Sequence, residues 1–263
     1  MTFRQFVLVA LFASGFGVIA QTPGPRPKFE AFEVATIKPV ESGAKAPRYI
    51  TMQGTNRFVE KDYTLKLLIA AAYNLSPQVI SGGPAWMDTE HYDIAALTPG
   101  DVRPTRDEQM GMLRKLLADR FQLSFHRESR EFSIYVLEVA KGGSKLKDSA
   151  RPEDVPTLIN VVYPQSIKLP ARNVTMEDFA SMLQRAVLDR PVVDKTGLTG
   201  RYDFDLEWAS DESQFNGEVP TSADANAAPL FTAIQQQLGL RLVATKGPVA
   251  ALIVDRAQKP SAN

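Results

Sequence analysis

The sequence predicts an α+β protein made of two copies of one unit, strand, helix, strands, helix, hairpin, with helices packed on a mixed or antiparallel sheet. Two helical apolar stripes begin behind matching tetrapeptides, Asp62-Tyr63-Thr64-Leu65 and Asn173-Val174-Thr175-Met176. A Tyr-Asp pair follows each: Tyr92-Asp93 lies 28 residues after Thr64, and Tyr202-Asp203 lies 27 after Thr175. A second helical stripe and two alternating runs then close each copy, with the same seven-residue step from Phe125 to Phe132 and from Leu242 to Val249. Helices separated by paired strands cannot all be right-handed parallel crossovers, so the sheet should be mixed or antiparallel.

Taken in order, Arg4 precedes an apolar run from Phe6 to Ala20 that ends in Val18-Ile19-Ala20, the pattern of a secretory signal peptide cut before Gln21. An uncleaved anchor is the alternative, but a bilayer needs about 20 apolar residues and this run is shorter. Residues 21–28 form a proline-rich linker, and residues 29–260 are expected to be a single domain of two repeats, about 58–141 and 167–259. Phe32, Val34 and Thr36 alternate with Glu33 and Ala35, which suits a half-buried strand closed by Pro39. Leu65, Leu68, Ile69 and Ala72 lie at helical spacing, as do Met176, Phe179, Ala180, Leu183 and Val187. Side-chain oxygens of Asp62, Thr64, Asn173 and Thr175 are available to cap these helices, and Thr175 with Asp178 has the spacing of a capping box. Met110, Leu113 and Leu117 form the next stripe, matched by Phe231, Ile234 and Leu238. The polar stretch 209–229 is expected to be a mobile loop, and His126–Glu131 a solvated hairpin loop.

Composition narrows the chemistry. The 263 residues are 44% hydrophobic, enough for a sizeable core. Thirty basic and thirty acidic residues cancel, so charge gives no reason to expect a nucleic-acid partner. No cysteine is present, which removes disulfides, thiolate metal sites and thiol nucleophiles. Zincin, nucleophile-elbow, phosphate-loop and dinucleotide motifs are missing, so no catalytic residue, cofactor or metal is assigned. No segment after the signal reaches transmembrane length.

Five blocks carry a family resemblance: FEVATIKP at 32–39, GGPAWMDTEHYDI at 82–94, LLADRFQLSFHRE at 116–128, RPVVDKTGLTGRYDF at 190–204 and LFTAIQQQLGLRL at 230–242. They resemble the signature blocks of a secreted domain of unknown function expanded in soil acidobacteria (Solibacter-type). Some members of that family are joined to membrane metallopeptidases of the antibiotic-sensor type. The resemblance implies no activity, ligand or site residue. Asn173–Met176 and its helix are similar to short adaptor modules at the N-termini of secretins and TonB-dependent receptors, a likeness of fold only.

Two functional classes follow. One is a non-enzymatic extracytoplasmic binding or sensing module, its partner an envelope protein or a small ligand. The other is a hydrolase of unrecognised type with its site between the repeats, using Asp93, Asp203 or His91. Repeat symmetry offers Asp93 and Asp203 a structural role instead, as groups bonded to backbone amides, and places Arg201 opposite His91. Gly82–Met87 differs most between the copies, so Pro84, Trp86 and His91 are the expected contact residues. A tryptophan there is more often a core plug than a ligand platform.

Overall fold

The computed structural model describes residues 26–40, 48–152, 154–217, 219–222 and 226–261. The expected signal peptide and residues 21–25 of the linker lie outside the described residues, as do parts of the 209–229 stretch. Among the described residues no helix is long and apolar enough to cross a membrane.

The first half builds an antiparallel sheet from β1 (Val34–Pro39), β2 (Tyr49–Gln53), β3 (Arg57–Thr64) and β5 (His91–Leu97), in the order β1-β5-β3-β2. α1 (Leu65–Tyr73) leaves β3 directly, and Thr64 accepts the Leu67 amide at 3.3 Å as its N-cap. Leu65, Leu68, Ile69 and Ala72 are completely buried. Asn74 ends the helix in the left-handed conformation that asparagine tolerates. α2 (Arg106–Arg120) starts at a capping box of Thr105 and Glu108 and buries Met110, Leu113 and Leu117 against α1.

The second half repeats this order. β7 (Lys147–Asp148), β12 (Tyr202–Trp208), β10 (Ile167–Val174) and β8 (Thr157–Leu158) are neighbours in that sequence, with β9 (Val161–Val162) also on β10. α3 (Met176–Met182) leaves β10 as α1 leaves β3, with Thr175 and Asp178 closing a capping box. It runs on into a π turn over Leu183–Val187. α4 (Leu230–Ala233) does the same over Ile234–Leu238 and stops at Gly239, whose φ of 67° requires glycine.

A third sheet joins the halves. β6 (Ser124–Val139) and β13 (Leu240–Arg256) form one long antiparallel ribbon, flanked by β4 (Ile80–Gly82) parallel to β13 and β11 (Val192–Asp194) parallel to β6. β6 begins with Leu123 and Phe125 at the first-half core and ends with Ile134 and Leu137 buried, Leu137 in the second-half core. β13 runs the other way, from Leu240 and Leu242 in the second core to Leu252 and Val254 in the first. Each core is therefore completed by a strand from the other half.

The ribbon corrects the expected hairpins. His126–Glu131 is continuous strand paired with Val249–Ile253 and its flanks, not a loop. All six of its side chains are exposed, even though the paired stretch of β13 buries Ala251 and Leu252, so a strand there can be polar on every residue. β1 corrects the expected face. Ile37, opposite Ile94, is 3% exposed and Val34 is 58% exposed, since the core side of this edge strand is set by its pairing with β5. Phe231 is also off its expected stripe; it is exposed and makes an edge contact with Tyr135 at 5.2 Å. The described part of 209–229 is tied down: the buried Trp208 indole donates to Gln214 at 2.8 Å, and Ser210 bonds Ser222 and the Pro220 carbonyl.

A cleft between the halves as candidate functional site

Between the two halves lies a cavity of about 250 Å³. α1 supplies one wall with Leu67, Ala70 and Ala71, of which Ala70 also belongs to the first-half core. The opposite wall is Arg185 and Ala186 from the π turn, with Phe215 and Val219. Arg48, Tyr63 and Asn160 complete the lining, and the Arg48 guanidinium lies 5.5 Å from the Tyr63 ring centre.

Among the described residues that line this cleft there are two guanidiniums and no carboxylate. Arg185 has its Nε buried without a hydrogen-bond partner and, among the described residues, no ion pair. Burial, then the charge of Arg106, pulls its pKa down to about 9. Arg106 keeps an open surface yet is enclosed by enough protein to be lowered as well. Asp178 is the acid felt by both, and its carboxylate is already committed to the Thr175 cap at 2.8 and 3.0 Å. The Tyr63 hydroxyl is raised by burial, which outweighs the three arginines that favour its ionised form. Asn160 Oδ1 is a second buried atom without a partner.

Glu60 lies on the same sheet face as Tyr63, across from Ile50 and Ile94, and is fully buried. Neither carboxyl oxygen has a hydrogen-bond partner of normal geometry. Burial first, with Asp93 and Asp62 adding to it, pushes its pKa up to about 9 against the opposing pulls of the Tyr63 amide and Lys61. It is a neutral acid at pH 7.

The residues expected from sequence lie elsewhere. Pro84 opens a 3₁₀ turn over Ala85–Asp88, its carbonyl accepting the Met87 amide at 3.1 Å. Trp86 stacks on Phe121 at 6.5 Å and meets Tyr92 edge-on at 6.4 Å, which makes it a half-buried cover of the first core. The glycines before it serve the backbone: Gly82 has φ 78°, and a Cβ there would come within 2.7 Å of the Val254 carbonyl on the paired strand. His91 lies on the opposite face of β5 from Tyr92, with Nδ1 2.8 Å from the Asp62 carboxylate and 3.2 Å from the Asp62 carbonyl. Arg201 likewise donates to the Asn173 carbonyl at 3.0 Å.

Those carbonyls belong to matching β-bulges. Asp62 and Asn173 have φ of 62° and 56°, and the strand register slips at each. They are bulge residues rather than caps. Asp93 accepts the Asp62 amide at 3.1 Å, and Asp203 accepts the Asn173 amide at 2.8 Å. These two carboxylates hold separate bulges in separate sheets and have no partner in common, so they form no acid-base pair with each other or with His91.

Sequence reasoning missed Arg48, Arg185 and Glu60. One signal pointed to the cleft: LKLLIAAAY, the α1 segment, is apolar on nearly every side, which a helix facing a single core does not need.

A search of curated proteins finds no match to the chain, and neither does a search of solved structures. Residues 66–257, from the second residue of α1 to just past the end of β13, match the family described as Protein of unknown function (DUF3738). The match takes in α3, the ribbon, the whole second core and the first core from Leu68 onward, and the chain belongs to that family.

Proposed function

We propose that the chain is an exported, non-enzymatic binding or sensing module, formed by internal duplication, whose ligand occupies the cleft between its halves. The observation that carries the reading is a cavity that both halves line, whose wall includes Arg185 and Asn160, each with a buried side-chain atom, Nε and Oδ1, that has no hydrogen-bond partner. Such groups are rare in native structures and call for a partner that completes them.

The duplication is supported by more than element order. Ile80 of β4 pairs with Leu252, and Val192 of β11 pairs with Tyr135. Leu252 and Tyr135 are 117 residues apart, the same spacing that separates Leu242 from Phe125 in the sequence repeat. The residues around the cleft break this symmetry. Tyr63 corresponds to Val174, Glu60 to Ala171 and Arg185 to Asn74, an ordinary helix end. The shared fold needs none of the three.

A thermal-shift screen of small molecules against the wild type and Ala186→Phe, which fills the cleft, tests the reading. A ligand site there gives compounds that raise the melting temperature of the first protein and not of the second. If no compound separates them, the cleft is not a binding site.

A further inference from the structure

We propose that the cleft takes a small organic oxyanion, its carboxylate or phosphate received by Arg185 and Arg48 and its apolar body laid against Leu67, Ala70 and Ala71. The proposal deepens the binding reading above and rests on it. Its first support is the composition of the described walls, which hold two guanidiniums and, among the described residues, no carboxylate. Arginine offers donors in a rigid fork that matches a carboxylate or phosphate group.

The second support is Arg185 itself. Its Nε is buried without a partner, and among the described residues the guanidinium makes no ion pair or hydrogen bond, whereas charges withdrawn from water are ordinarily paired. Asp178, the acid that acts on it, is spent on a helix cap.

The third is local backbone. Sixteen residues separate Thr64 from Ile80, but seventeen separate Thr175 from Val192. The extra residue falls where α1 is regular helix and α3 opens into the π turn that contains Arg185. π turns of this kind are single-residue insertions that recur at functional sites. Size sets the class further: about 250 Å³ is at the small end for ligand pockets and suits a molecule of roughly ten non-hydrogen atoms.

Calorimetric titration of the full mature chain with benzoate, inorganic phosphate and benzyl alcohol tests the proposal. Benzoate, phosphate or both should bind saturably, and the response should identify the carboxylate or the phosphoryl group as the preferred anion. Arg185→Gln and Arg48→Gln should each weaken that binding at least tenfold, and either variant suffices if the other fails to fold. No saturable binding of either anion up to about 10 mM, well above the millimolar Kd of a weak site, overturns the proposal. Unchanged affinity in the folded variants overturns it too. Benzyl alcohol binding as well as benzoate, and lost in Ala186→Phe, would refute the anion class while leaving the cleft as a binding site.

Discussion

Replacing Glu60 by glutamine should stabilise the protein, and by an amount that grows with pH. In the unfolded chain this carboxyl titrates near 4.5, whereas in the fold burial between Ile50 and Ile94 raises it to about 9. Between those two values the folded protein holds a proton that the unfolded chain releases, so stability falls as pH rises through the interval. Each unit is worth about 1.36 kcal/mol, which gives a penalty of about 3 kcal/mol at pH 7 and about 6 kcal/mol above pH 9. Glutamine has nearly the shape of the neutral acid and cannot ionise. Urea melts of both proteins at pH 4.5, 7 and 9 should start nearly superposed and separate steadily toward alkaline pH. Parallel curves, with a constant difference at all three values, would refute the argument and mean that Glu60 is ionised and compensated in the fold.

The remaining predictions are simpler. Phe179→Ala removes a fully buried ring that meets Phe204 edge-on at 5.3 Å and should cost about 3 to 5 kcal/mol in a denaturant melt. Thr175→Ala, which deletes a cap, should cost about 1 kcal/mol in the same assay. Trp86→Ala uncovers Phe121 and Tyr92 and should lower stability by about 2 to 3 kcal/mol while leaving anion binding in the cleft unchanged; a selective loss of binding would return Trp86 to the site. Export with cleavage after Ala20 should leave Gln21 as the first residue, and the intact mass of the secreted protein checks it.

What the sequence disclosed depended on whether physics acted locally. Thr64 and Thr175 were legible because a cap sits at a fixed place before a 3.6-residue stripe, and Leu65 to Ala72 and Met176 to Val187 followed from that stripe alone. His126–Glu131 was misread because a polar side chain on every residue is the pattern of a loop, and only the pairing with β13, more than a hundred residues away, makes it strand. Val34 and Ile37 show the same limit, since an edge strand takes its inner face from its neighbour. Arg48 and Arg185 lie 137 residues apart and belong to no motif; tertiary structure alone brings them to one cleft. Glu60 stood in plain view between Phe58 and Tyr63, but the bulge at Asp62 shifts the alternation, and without it the buried face cannot be assigned.

The crossed ribbon has a consequence for the order in which the molecule can form. The first-half core is closed by Leu252 and Val254, which are synthesised more than a hundred residues after Phe121 and Leu123. Until they emerge from the ribosome, β4 has no strand to lie on and Phe121 and Leu123 lack part of their cover. Neither half can therefore finish folding before β13 has been synthesised, and contacts spanning more than a hundred residues make closure slow. A polypeptide of this design stays threadable until β13 is available, which suits the export proposed above.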